Sequence, residues 1–294
     1  MTSVHTELLA RCTFPSAGTA VTCAVSGGAD SLALLVLACE VGLDVTAVHV
    51  DHGLRPGSGA EAAVVAAAAA RFGAAFRGIS VSVAPGPNLE ARARAARYAA
   101  LPAGVLTGHT LDDQAETVLL NLLRGSGPDG LAGMRTVGRT GVRRPLLGLR
   151  RAETVALCAE LGLVPVVDPS NADPTHRRNR IRRELLPLLD DLARRDVAAL
   201  LAREADVWRA DADWLDAAAE AIDPTDARAL TAAPPPLARR AVRRWIRSAT
   251  SGPPPDLAGV ERVLAVARGD AVACELAGGW TVRRHHQALS VARR

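Results

Sequence analysis

The polar and apolar positions of the first 190 residues alternate between two periods. Short β-branched runs bounded by turn residues occupy 20–25 and 45–50, the pattern of buried parallel strands. Between them, 31–41 is almost wholly apolar and predicts a buried helix. The same alternation places a helix over 61–72 and a third strand over 79–83. Asn88 stands where an N-cap would precede a helix over 91–101. A fourth strand is expected at 104–107 and a fourth helix over 111–124. Repeated units of this size predict an α/β fold, a doubly wound and mostly parallel sheet with helices on both faces. In such sheets ligands sit beyond the carboxyl ends of the strands.

Farther along, the pattern predicts a helix over 150–161, a strand over 164–167, a turn at Asp168-Pro169-Ser170-Asn171 and an Arg-rich helix over 177–189. From about residue 190 helical patterns dominate, broken by Pro234-Pro235-Pro236 and Pro253-Pro254-Pro255. A short strand is expected over 280–284. The chain therefore divides into a sheet domain, 1–190, and a smaller, mainly helical domain, 191–294. Trp208, Trp214 and Trp245 of the second domain read as core residues rather than as platforms for base stacking.

Composition narrows the chemistry. Hydrophobic residues make up 49% of the 294 but aromatics only 3%, so the core is built from Ala, Leu and Val. No lysine occurs, and all 35 strongly basic residues are arginine. A skewed codon composition accounts for that bias, but its consequence is chemical: a Walker A lysine and a Schiff base are both excluded. The net charge of +4 permits a nucleic-acid partner without establishing one. The five cysteines show no CxxC or metal-ligand spacing, as in a reduced protein. The first seven residues show no signal-like stretch, and the longest apolar run, around 62–70, is too short to span a bilayer. A soluble, cytoplasmic protein is the expectation.

Two stretches carry candidate chemistry. Ser26-Gly27-Gly28-Ala29-Asp30-Ser31 follows the first strand and opens the first buried helix. Its glycines allow close backbone approach to a phosphate, and the helix start offers free N–H groups. Asp30 beside a polyphosphate implies Mg²⁺ between them. Asp113 and Glu116, three apart at the start of a helix, share a face, with His109 just before it. Such a set could hold an ammonium, a metal or an exposed cytosine edge, whereas Asp112 is as readily a helix cap. Five arginines, Arg177, Arg178, Arg180, Arg182 and Arg183, crowd the start of one helix, which favours contact with a phosphate backbone.

The string from Ser26 to Ser31 resembles the PP-loop of ATP pyrophosphatases, which adenylate a carbonyl-type oxygen. Four further stretches narrow the resemblance. They are His49-Val50-Asp51-His52-Gly53-Leu54-Arg55; Asn88-Leu89-Glu90-Ala91-Arg92 running on to Ala96-Arg97-Tyr98; Gly108 to Thr117 with Arg124-Gly125-Ser126-Gly127; and Asp168 to Asn171 followed by Arg178 to Arg182. Together, over roughly residues 20–190, they resemble the tRNA(Ile)-lysidine synthetases.

The resemblance implies ligation of L-lysine to C2 of the wobble cytidine of tRNA(Ile) with anticodon CAU, through an adenylated base. It implies ATP on Ser26, Gly27, Gly28, Ala29, Asp30, Ser31, His49 and Asp51, with Mg²⁺ at Asp30. The implied catalytic set is Asp30, Arg97, His109, Asp113 and Glu116, and the tRNA contacts are Arg124, Arg178, Arg180, Arg182 and Arg183. Whether Asp113 and Glu116 take a proton from the lysine amine or bind its ammonium stays open. A homodimer is compatible with the sequence. Longer members carry a further C-terminal domain for which this chain leaves no room, so the mode of tRNA discrimination is open as well. The alternatives are a PP-loop tRNA thiolase, which would use cysteines, and a non-catalytic ATP-binding module, which would not need His109, Asp113, Glu116 and the arginine run.

Overall fold

In the computed structural model the described residues are 3–51, 53, 58–82, 86, 89–138, 140–167, 173–250, 252 and 254–294. The β-branched runs form strands β1 (Ala20–Ala24) and β2 (Asp44–Asp51), joined through α2 (Ala29–Glu40). Helix α1 (Ser3–Ala10) precedes them. Helix α3 (Ser58–Arg71), β3 (Ala75–Ser80), α4 (Leu89–Ala100), β4 (Leu106–Thr107) and α5 (Leu111–Leu122) follow, then the short α6 (Pro128–Leu131) and α7 (Arg151–Glu160). The four strands are parallel, in the order β3-β2-β1-β4. The chain moves outward from β1 to β3 and returns to the other side of β1 at β4. The boundary between β1 and β4 is thus the switch point at which doubly wound sheets bind ligands.

Leucines and alanines of α2, with Val45 and Ala47 of β2, Val65 of α3 and Leu157 of α7, make the principal core. Val48, Leu101, Val105 and Val142 fill the opposite face. Helix α2 is apolar all round, from Leu32 to Ala38, because it is covered on every side.

Past α7, the Arg-rich stretch forms a helix of two widths. The turn α8 (Arg177–Arg180) passes into a π-helical turn, Ile181–Leu185, and then α9 (Leu186–Ala193). Pro187 supplies the reason. It has no N–H to give to the carbonyl four residues back, and its ring crowds that carbonyl, so the turn ahead of it widens.

The structure departs from the sequence reading in several places. The expected strand over 164–167 is not a strand; Val166 instead donates its N–H to the carbonyl of Gly27 at 2.9 Å, bracing the loop after β1. The third strand begins at Ala75, earlier than its apolar residues suggested, because its partner is the regular ladder of β2 from Thr46 to Asp51. The proposed cap Asn88, the turn 168–171, and His52, Leu54 and Arg55 lie outside the described residues.

Two compact units emerge, one ending at Asp206 and the other spanning Val207–Arg294, so the division of contacts falls inside α10 (Val197–Ala219). Ala198 and Leu201 at the start of α10 pack with Ala115 and Leu119 of α5, which keeps that segment with the sheet. The second unit contains α11 (Ala227–Ala232), α12 (Pro235–Thr250) and α13 (Leu257–Arg268). To these it adds an antiparallel sheet of β5 (Ala273–Leu276), β6 (Trp280–His285) and β7 (Ala288–Arg293), of which the sequence reading anticipated only the middle strand. Trp245 packs against that unit's core, but Trp208 and Trp214 are exposed, Trp214 by 69%, and are not core residues.

Candidate active site

The loop after β1 sits at the switch point. Val25 continues the ladder by donating to Val48 O at 2.9 Å, and the chain then turns through Gly27, whose φ of +88° suits glycine. The Ser31 hydroxyl donates to Gly28 O (2.8 Å) and accepts from the Ser26 N–H (3.1 Å), closing the loop on itself. Gly28 is the N-cap of α2, and no side chain caps that helix, so its first N–H groups point at the space a phosphate would take. His49 lies buried beneath, 3% exposed, its ring Nδ1 donating to Val25 O at 3.0 Å. Asp51 ends β2, where its carboxylate accepts from Gly53 N at 2.8 Å.

The segment after β4 approaches the same loop closely. A Cβ on Gly108 would stand 2.5 Å from the carbonyl oxygen of Asp30, so only glycine fits between the two backbones. Thr107 donates its hydroxyl to Arg143 O (3.2 Å) and therefore accepts from Nδ1 of His109 (2.8 Å). When neutral, the His109 ring then carries its lone pair on Nε2. Thr110 is the N-cap of α5, and Asp113 Oδ2 accepts both its backbone N–H (2.9 Å) and its hydroxyl (3.1 Å). One carboxylate oxygen of Asp113 is thus committed to the helix start, while Oδ1 faces the site.

Three carboxylates and three guanidiniums meet there. Each nitrogen of Arg151 takes a different acid: Nε reaches Asp30 Oδ2 (3.0 Å), Nη1 reaches Glu116 Oε1 (3.2 Å) and Nη2 reaches Asp113 Oδ1 (2.9 Å). Arg178 donates from Nε to Glu116 Oε2 (2.6 Å) and from Nη2 to Asp113 Oδ1 (3.2 Å). Arg182 donates from Nε to Glu116 Oε1 (2.6 Å) and from Nη2 to Oε2 (3.1 Å). Glu116 is 0% exposed, a buried charge that its ring of guanidiniums makes tolerable. The Thr154 hydroxyl completes the cluster on Asp30 Oδ1.

The environments of the two aspartates pull apart. Burial pushes the Asp30 carboxyl above its ordinary value, and Arg151 and Thr154 only partly offset that. Burial also raises Asp113, but the charges of Arg151, Arg178 and His109, with the Thr110 N–H, bring it to a net position below the ordinary value.

The sequence-predicted residues therefore separate into groups. Asp30, His109, Asp113, Glu116, Arg178 and Arg182 converge. The last two, expected on an RNA backbone, are here turned onto acids, while Arg177, Arg180 and Arg183 face outward and Arg180 pairs with Glu184 at 2.8 Å. Arg97 stands half-buried on α4, its guanidinium 5.4 Å from the Tyr98 ring centre. Arg124 lies exposed past the far end of α5, roughly 12–16 Å along the helix from Glu116 and Asp113.

One residue went unrecognised and another was left open. Arg151 is the centre of the cluster, and Asp112, for which a cap and a functional role stood equal, accepts the backbone N–H of Arg151 (2.7 Å) and an ion pair from Arg150 (3.0 Å). A signal was present: Arg150-Arg151 opens a helix, where the helix dipole disfavours cations unless acids answer them.

Residues 2–189 match the family model described as a PP-loop domain, and residues 226–290 match the TilS substrate binding domain. The chain is 48% identical over 255 residues to the tRNA(Ile)-lysidine synthase of Nocardia farcinica, covering 82% of this chain and 80% of that relative. To the tRNA(Ile)-lysidine synthase of Mycobacterium tuberculosis it is 42% identical over 291 residues, covering 92% and 90%. Among solved structures, the U34-tRNA thiolase NcsA from Methanococcus maripaludis superposes with a TM-score of 0.54 at 16% identity, over 69% of this chain and 77% of that one, a likeness of fold alone.

Proposed function

Because this chain belongs to the tRNA(Ile)-lysidine synthase family, we propose that it joins L-lysine to C2 of the wobble cytidine of a tRNA(Ile) with anticodon CAU, at the expense of ATP. The observation that carries the reading is the carboxylate–guanidinium cluster set against the loop from Ser26 to Ser31 at the sheet's switch point.

ATP lies with its phosphates on that loop and on the open end of α2, near His49 and Asp51. Asp30 would hold Mg²⁺ against the nucleotide, where the ion would neutralise phosphate charge. Among the described residues no group of three or more His, Cys, Asp or Glu is placed to hold a metal ion. A single carboxylate beside phosphate oxygens can suffice for magnesium, and Asp30, the acid of the phosphate loop, would supply it. The cytosine leaves its stack and enters beside His109 and Arg97, which hold and polarise it. Its O2 attacks the α-phosphate; the bond to the β-phosphate breaks and pyrophosphate departs. The ε-amine of lysine, after its ammonium proton passes to water, then attacks C2. The C2–O2 bond breaks, O2 leaves as an oxygen of AMP, and the proton shed by the new C–N nitrogen passes to water.

Asp113 is the group that receives the lysine ammonium before it gives up its proton. Its carboxyl is held below the ordinary range, which suits an ammonium anchor better than a strong base. Glu116, enclosed by guanidiniums, positions Arg178 and Arg182. Arg124, Arg180 and Arg183 remain for the RNA backbone, with the second unit as the substrate-binding module. The thiolase alternative needs reactive thiols, whereas Cys23 and Cys158 are buried and pushed up to about 12 and about 11 by desolvation.

The test is label transfer from lysine, with ATP and Mg²⁺, to an unmodified CAU transcript and to one with uridine at the wobble position. Label on the cytidine transcript only, with AMP and pyrophosphate released, is the expected result. ATP–pyrophosphate exchange that depends on tRNA, without label transfer, would leave the adenylation and remove lysine as donor.

A further inference from the structure

Three acids and three guanidiniums leave the cluster formally neutral, with Arg151 at its centre. A neutral cluster has no electrostatic reason to take in a substrate ammonium. One of its cations must leave first, and the bonding pattern identifies which. Glu116 holds Arg178 and Arg182 through contacts of 2.6 Å each, and Arg151 is its longest partner at 3.2 Å. Asp113 Oδ1 has its shortest contact, 2.9 Å, from Arg151, then 3.2 Å from Arg178 and 3.7 Å from Arg182. Loss of Arg151 therefore leaves Glu116 well satisfied and Asp113 Oδ1 short of a donor, next to Asp30 and the phosphate loop.

The backbone of Arg151 is fixed by its N–H on Asp112 at 2.7 Å, at the first residue of α7, so the side chain can re-aim without unfolding the helix. Its third contact, Asp30 Oδ2, belongs to the loop that opens α2. Polyphosphate and its metal brought there compete with Asp30 for Arg151 and with Arg151 for Asp30. Both competitions draw the guanidinium off Asp113.

We infer that Arg151 is a positioning residue that occupies the amine's place on Asp113 until nucleotide binding draws it away, so that ATP loading opens the lysine site. This rests on the ligase reading above. The consequence is positive coupling: ATP tightens lysine, and by linkage lysine tightens ATP to the same degree.

The test is equilibrium binding of labelled lysine to the full chain with unmodified CAU tRNA present throughout, with and without α,β-methylene ATP and Mg²⁺. In the wild type the analogue should tighten lysine roughly tenfold or more. Arg151→Gln should bind lysine alone about as tightly as the loaded wild type, so that the ratio falls to near one. Thermal melting shows which variants are folded. Should R151Q not fold, R151K serves: an ammonium cannot span three carboxylates as a planar fork does, so its ratio must fall below the wild-type value. Lysine binding with an unchanged ratio in the folded variant overturns the inference and leaves the ligase reading standing. Absence of lysine binding in every arm overturns both.

Discussion

Arginine supplies all the strong positive charge of this chain, and its two compact units use it differently. In the first, Arg151, Arg178 and Arg182 enclose a glutamate that water does not reach. In the second, Arg239 pairs with Glu261, Arg268 with Asp270 and Arg294 with Glu275, all at the surface, around a core of Val260, Val263, Leu264, Val282 and Leu289. With arginine at every basic position, the residue type alone says little. The burial of the acid it meets is what separates a built site from a solvated surface. Breaking a buried pair from one side strands a charge, at about 3–5 kcal/mol, whereas a surface pair is worth about 0–1 kcal/mol.

The contrast is sharpest at Glu116. Replacing it with Gln keeps the volume but leaves three guanidiniums facing one another around a neutral amide. Stability of the first unit should fall by about 3–5 kcal/mol, and ligation should be lost. The chain offers a convenient separation of signals, because all four tryptophans, Trp208, Trp214, Trp245 and Trp280, lie in the second unit. In urea, E116Q should move the far-ultraviolet circular dichroism transition more than the tryptophan fluorescence transition. Equal movement of both, or of neither, would break the comparison.

Half of this site was legible before folding. The loop from Ser26 to Ser31 declares itself because a β-branched run, two glycines and an apolar helix lie in direct succession. Asp113 and Glu116 declare themselves by helical spacing. Their partners do not, since Arg151 and Arg182 lie 35 and 66 residues from Glu116, and no local period reports on a contact of that range. The segment 164–167 misled for a related reason. Its β-branched residues read as a strand, but the acceptor for Val166 is Gly27 in the loop, not a neighbouring strand. In the second unit the helical pattern held because amphipathic faces are local. The flanking strands Ala273–Leu276 and Ala288–Arg293 went unread because their pairing with β6 is what makes them strands.

Acid pH probes the same cluster more gently. Asp113 titrates below its ordinary value of 3.8 in the folded chain, so it contributes stability above that value that is lost as pH falls through the depressed one. Asp30 titrates above 3.8, so the folded chain takes up that proton first, and stability from this group rises as pH falls between the two values. The two slopes oppose each other. Urea midpoints measured from about pH 6 to about pH 3 should therefore respond in opposite directions to substitution. Asp113→Asn should flatten the acid loss and Asp30→Asn should steepen it. Slopes that move together would mean that the two acids share one environment.

The smallest effect is expected where the second unit's arginines meet exposed acids. Arg239 Nε lies 2.6 Å from Glu261, a good contact, yet both side chains are well exposed and water competes for each. Arg239→Ala should change stability by less than about 1 kcal/mol, seen in tryptophan fluorescence, and added salt should shrink the difference further because screening reaches exposed pairs. The same salt should alter the E116Q deficit less, because the carboxylate removed there is fully buried. A large, salt-insensitive cost at Arg239 would show that geometry, not burial, sets what an arginine pair is worth in this chain. The division between the two units would then have to rest on their backbone contacts alone.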